Sequence, residues 1–173
     1  IDVLVQEKNL RAAVSYLVEN LKYTEHEQNS HDISLFSPSG NHIELHFDLV
    51  EDYISDSSSK ILADVWNVVT VKENCSYHYE MPDDMFYFYH VAHMAKHFEN
   101  GGCGIRPFID LLILDNLREV DHKKRDNLLE QGNLLKFANA ARKLSRIWLS
   151  NEPYDLVSKQ MEDYILRGGV YGN

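Results

Sequence analysis

Residues 86–110 read FYFYHVAHMAKHFENGGCGIRPFID, from Phe86 to Asp110, the densest run of chemically capable side chains in the chain. His90, His93 and His97 recur at the i, i+3, i+7 spacing of one helix face, and Lys96 sits beside that face. The helix is expected to stop at Gly101, Gly102 and Gly104, because glycine supplies the positive φ of a C-terminal cap. A second segment starts at once, with Arg106 in its first turn and Asp110 one turn later. So short a turn sets two helices antiparallel, with Arg106 and Asp110 able to face back toward the histidines. Two readings follow: a helical hairpin whose polar groups satisfy one another, or one wall of a site for something anionic or metallic.

Upstream the period changes. Val3-Leu4-Val5 is a β-branched run fit for a buried strand, with Asp2 at the start of what reads as a central strand. Residues 9–21 place Leu10, Ala13, Val14, Leu17, Val18 and Leu21 on one stripe, a helix packed on a sheet, with Asn9 as its expected N-cap. Asp32–Phe36 alternates, residues 37–41 (SPSGN) are a turn, and residues 42–49 (HIELHFDL) alternate again. In that last strand Ile43, Leu45 and Phe47 point one way and Glu44, His46 and Asp48 the other. It reads either as an edge strand with a solvated polar face or as one side of an acidic site.

Residues 51–59 are acidic and serine-rich, too polar to pack, and mark the expected boundary. Beyond them periodicity is helical: 61–69, the His90 segment, 108–117, one run across 127–148, and 154–166. The sequence therefore predicts an α+β protein, with a truncated α/β part over residues 1–50 and an all-helical part of about five helices over residues 60–173.

Composition narrows the function classes. Twenty-seven acidic against 17 basic residues give a formal net charge of −10, which argues against nucleic acid or an anionic membrane as a non-specific partner. The same charge repels a nucleotide unless metal ions or a local basic cluster intervene. Two cysteines, Cys75 and Cys103, suit a reducing cytoplasm and form no metal-ligand pair by spacing. No apolar run reaches the ~20 residues of a membrane span, and no signal peptide is evident. The opening on Ile1 and the close on Gly172-Asn173 read as cut ends, so the chain is expected to be an interior piece of a longer protein.

Asp2 and Glu44, on neighbouring strands, suggest how a hard divalent cation is held for phosphoryl or nucleotidyl transfer, since oxygen ligands match such an ion. The opening IDVLV, the helix after it, HIELHFDL, HMAKHF, the glycine turn, IRPFIDLLIL and the closing ILRGGVYGN together resemble the uncharacterised bacterial nucleotidyltransferases of the DNA-polymerase-beta-like superfamily. The resemblance runs over nearly the whole chain. It implies a nucleotidyltransferase sheet with a helical bundle closing over the nucleotide. It also implies Mg²⁺ held by Asp2 and Glu44, with Glu44 as base for the attacking hydroxyl. A nucleoside triphosphate would be the substrate, bound by His93, Lys96, His97 and Arg106, and an unidentified hydroxyl-bearing small molecule or protein the acceptor. The family's first acid and its Gly-Ser segment would lie before Ile1. Two rivals remain: a non-catalytic binding module on the same fold, and a helical metal-dependent phosphohydrolase using His90, His93, His97 and Asp110.

Overall fold

The computed structural model describes residues 1–50, 56–117 and 120–168. Its first part is a four-stranded sheet with one helix: β1 (Asp2–Leu4), α1 (Glu7–Leu21), β2 (Thr24–Gln28), β3 (Asp32–Phe36) and β4 (His42–His46). The strand order is β1-β4-β3-β2, with β1 parallel to β4 and the other pairs antiparallel. Alternation sorts the side chains by face. Ile33, Leu35 and Leu45 are buried against Leu10 and Val14 of α1, forming one apolar cluster. The opposite face therefore carries the polar set of β4 and its neighbours.

The second part holds α2 (Asp56–Ala63), α3 (Val65–Val68), a two-stranded ribbon of β5 (Thr70–Val71) and β6 (Tyr79–Glu80), then α4 (Asp83–Glu99), α5 (Arg106–Asp115), α6 (His122–Gln131), α7 (Leu135–Ser150) and α8 (Leu156–Gly168). α4 is central: Tyr87, Phe88, Val91 and Met94 are all but inaccessible, packed among Phe108, Leu111, Leu129 and Leu144. Burial on several sides explains why α4 lacks the clean one-sided stripe of a surface helix. Among the described residues no helix is long and apolar enough to cross a membrane.

The glycine turn behaves as the sequence predicts and does one thing more. Gly101, Gly102 and Gly104 have φ of 115, 123 and 66°, a region that L side chains avoid. The turn also lies against α8 at backbone distance, because a Cβ on Gly168 would stand 1.7 Å from the Gly101 carbonyl oxygen.

Several expectations are corrected. β1 is an edge strand and β4 an interior one, so Asp2 does not open a central strand. Helix α1 begins at Glu7 with Gln6 as its N-cap, leaving Asn9 inside the first turn. The run expected over 127–148 breaks into α6 and α7 at Gly132 and Asn133, where Asn133 takes a φ of 59°. The helical region is interrupted by the β5–β6 ribbon, and seven helices follow the sheet among the described residues. Of the boundary 51–59, residues 51–55 lie outside the described residues. The rest opens α2, where Ser58 is buried and donates to the Gly132 carbonyl at 2.9 Å. The closing residues 169–173 are also outside the described residues.

Candidate functional site

Strand pairing brings the two acids together. Asp2 and Glu44 are in-register partners across the parallel β1–β4 pair, and Ser34 of β3 is the partner of Glu44 on its other side. In-register partners project from one face of a sheet, here the face turned away from α1. One donor atom from each of Asp2, Glu44 and His46 lies within 4.8 Å of the others. Asp2 is well exposed, at 72% of its side chain, and Glu44 is half-buried at 36%.

Glu44 stands between two imidazoles: His42 Nε2 is 3.6 Å from one oxygen and His46 Nε2 3.7 Å from the other. The His42 ring is fixed by a 2.6 Å hydrogen bond between Nε2 and Ser34 Oγ, and by stacking on Phe36 with centroids 4.5 Å apart. Further along the same face, Asp32 is the in-register partner of His46, and His31 bends back beside it. One donor atom from each of His31, Asp32 and His46 also falls within 4.8 Å of the others.

α4 supplies the facing wall. Burial raises the Tyr89 hydroxyl above its ordinary range, and the negative charges of Asp2 and Glu44 push it the same way. Burial lowers the imidazole of His93, with Asp2 opposing. His97 is lowered by burial too, and its neighbours His93 and Lys96 add to the shift. The Nε2 atoms of His93 and His97 are 3.0 Å apart, so one ring donates to the other and the pair holds a proton between two neutral imidazoles. His90 is turned elsewhere: its Nε2 lies 3.0 Å from the Pro107 carbonyl oxygen and ties α4 to α5. Burial lowers the Lys96 amine, partly opposed by the negative charge of Asp32, which places Lys96 toward the start of β3.

Two cavities flank this wall. One of about 460 Å³ is lined by His93, His97, Cys103, Pro107 and the exposed Arg106. Burial holds the Cys103 thiol up at about 11. Lys96 does not line this cavity, so the expected trio of Lys96, His97 and Arg106 is divided. The other cavity, about 440 Å³, has Asp2 in its wall with Trp66, Tyr77, Tyr79 and Met81. Its aromatic wall comes from α3, inside the helical run expected over 61–69, and from the β5–β6 region; the ribbon was missed because a two-residue strand has no period to detect.

Of the residues expected from the sequence, Asp2 and Glu44 come together on the sheet, and His93, His97 and Arg106 meet at one cavity. His90, His93, His97 and Asp110 do not form a group of converging donor atoms among the described residues; the groups that do lie on the sheet. His31, Asp32, His42 and Ser34 were missed. For Asp32, Ser34 and His42 the signal was the alternation shared by DISLF and HIELH, which becomes a shared face only once the hairpin register is known; His31, in the bend before β3, had none.

Residues 1–150 match the model of a family described as uncharacterised nucleotidyltransferase. No curated protein and no solved structure matches.

Proposed function

The chain belongs to the uncharacterised nucleotidyltransferase family, and from that premise we propose that it transfers a nucleoside monophosphate from a nucleoside triphosphate to a hydroxyl-bearing acceptor, with Asp2 and Glu44 as the ligands for Mg²⁺. The observation that supports the reading best is the in-register parallel pairing of Asp2 with Glu44 on the face turned toward α4. The donor set fits a hard cation: two carboxylates on adjacent strands, open enough to solvent to leave room for waters and phosphate oxygens. When bound, Mg²⁺ would neutralise charge on the triphosphate and on the departing pyrophosphate. A chain of net charge −10 needs such compensation to receive a polyanion.

The chain's own residues take the other roles. Glu44 accepts the proton of the acceptor hydroxyl as its oxygen attacks the α-phosphorus in line, the bond to the pyrophosphate oxygen breaks, and pyrophosphate leaves. His42, flanking Glu44 at 3.6 Å and the more exposed of its two imidazole neighbours, is placed to relay that proton to solvent. Arg106, at the rim of its cavity, offers a bidentate fork to a phosphate. His93 and His97, held neutral by burial, hydrogen-bond the nucleotide and do not pair with its charge. Lys96, on the β3 side, contributes a positive charge to the same wall. The aromatic cavity beside Asp2 is the place for the acceptor, so the acceptor presents an apolar or planar surface next to its hydroxyl.

The test is to incubate full-length wild type and Glu44→Gln with labelled nucleoside triphosphate, Mg²⁺ and a panel of hydroxyl acceptors, following pyrophosphate release. Glu44→Gln keeps the shape of the side chain and removes its charge and basicity. Release should fall by at least about 100-fold. Equal release from both proteins removes Glu44 from the reaction. Nucleotide binding without release by wild type, across the whole panel, favours the non-catalytic binding module.

A further inference from the structure

We propose that His31, Asp32 and His46 form a second cation site, selective for a nitrogen-preferring divalent transition ion such as Zn²⁺. Two imidazoles and one carboxylate are a borderline-soft donor set, unlike the all-oxygen pair of Asp2 and Glu44. One donor atom of each already lies within 4.8 Å of the others. Bonds of ~2.0–2.1 Å at a tetrahedral ion need donors about 3.3 Å apart, so closing on the ion takes modest side-chain rotation. Water or another donor would complete the coordination.

The three residues are shielded and held by their surroundings. Their side chains are 17, 9 and 12% exposed for His31, Asp32 and His46, against 72% for Asp2. Asp32 and His46 are in-register partners across β3 and β4, so their spacing is set by the ladder. The bend at His31 is anchored because its carbonyl accepts from the Phe47 amide at 2.9 Å. Outer partners orient the donor atoms as they do around metal ligands. Asn29 Nδ2 donates to Asp32 Oδ1 at 3.0 Å, leaving Oδ2 toward His31, and Ser30 Oγ lies 3.3 Å from His31 Nδ1, leaving Nε2 toward Asp32.

His31 Nε2 and Asp32 Oδ2 are 3.0 Å apart, a contact that requires a proton between them. A divalent ion takes the place of that proton at Nε2, and an imidazole with one proton then carries it on Nδ1, beside Ser30 Oγ at 3.3 Å. The charged groups facing the site pull in opposite directions. Lys96 from α4 sets a positive charge toward Asp32, while Glu44 lies 3.7 Å from His46 and favours the ion. Because His46 neighbours Glu44, an ion held here also adds positive charge beside the base proposed for the transfer reaction. The donor geometry alone defines this cation site, with or without nucleotidyl transfer.

The experiment is a titration of the full-length protein with Zn²⁺ by calorimetry and with Co²⁺ by visible absorption, both in excess Mg²⁺. Wild type should take up a Zn²⁺ ion that Mg²⁺ does not displace and show the Co²⁺ bands of a site with nitrogen ligands. His31→Ala and Asp32→Asn, checked for folding by circular dichroism, should each weaken Zn²⁺ binding more than about tenfold. Zn²⁺ affinity unchanged in both variants overturns the proposal. So does affinity lost in His97→Ala and kept in His31→Ala, or displacement of Zn²⁺ by Mg²⁺.

Discussion

Replacing Arg125 by methionine removes a buried guanidinium from the joint between α4, α5 and α6. Its side chain is inaccessible, and it makes three hydrogen bonds: Nε and Nη2 to the two oxygens of Asp83 at 2.8 and 2.6 Å, and Nη1 to the Leu114 carbonyl at 2.9 Å. The guanidinium also lies 4.2 Å from the centroid of the Tyr87 ring. Hydrogen bonds to a charged group are worth about 1.5–3 kcal/mol each. The pair to Asp83 counts near the lower end, because that carboxylate is 47% exposed and rehydrates. With the orphaned carbonyl and the lost ring contact the gross loss is roughly 5–8 kcal/mol. Relief of the guanidinium's desolvation returns several kcal/mol. Arg125→Met should therefore cost about 2–3 kcal/mol, since its apolar stem is largely kept by methionine. That corresponds to a fall in Tm of roughly 4–12 °C for a chain of this size. Urea denaturation followed by circular dichroism, with thermal melts alongside, measures both. A loss below about 0.5 kcal/mol, or a gain, would refute the reasoning and place this joint among the buried ion pairs that apolar replacements improve.

Glu162 accepts from Trp148 Nε1 at 2.7 Å, Tyr154 Oη at 2.5 Å and Lys159 Nζ at 2.5 Å, and these partners pull its carboxyl from 4.5 down to about 2. The stability it contributes is present above pH ~4.5 and lost as pH falls toward 2; the difference between wild type and Glu162→Gln in urea titrations should shrink over that window and stay constant above it. Gly132→Ala needs no backbone change at φ −81°, but its Cβ would stand 2.4 Å from Phe88 Cε2, so it should destabilise by about 1–3 kcal/mol in the same assay. Cys75 is exposed, whereas burial holds the Cys103 thiol at about 11. Mass spectrometry after iodoacetamide at neutral pH should find Cys75 modified well before Cys103; equal rates would mean that the turn after α4 opens freely.

How much of the candidate site was legible can be seen residue by residue. The alternation in HIELH puts Glu44 and His46 on one face, and no tertiary information is needed for that. That Asp2 is the in-register partner of Glu44 depends on pairing residues 42 positions apart, which no local pattern encodes. His93 and His97 share a helix face by spacing alone, yet only the packed structure turns their Nε2 atoms together at 3.0 Å and sends His90 to Pro107. No local pattern sets Arg125 and Arg142 apart from solvated helix charges; the structure buries Arg125 and largely covers Arg142 around Tyr87, because the aromatic face and nearby aspartates make burial of a guanidinium tolerable.

By itself the sequence determined the change from a period of two to a period near 3.6, the α1 stripe, the end of α4 at its glycines and the acidic excess that disfavours bare polyanions. These follow from forces that act between near neighbours: alternation across a pleat, the helical repeat, and the backbone freedom of glycine. Tertiary structure alone decided the rest. Strand β2, TEHEQ, is polar and exposed at every position, so no apolar pattern announces it, and it exists because β3 offers an edge to pair with. The grouping of His31 and Asp32 with His46 likewise comes from the β3–β4 ladder and from the bend anchored at His31. Which polar residues meet is set by hydrogen bonds between distant segments, and those form only when the whole sheet closes on α1.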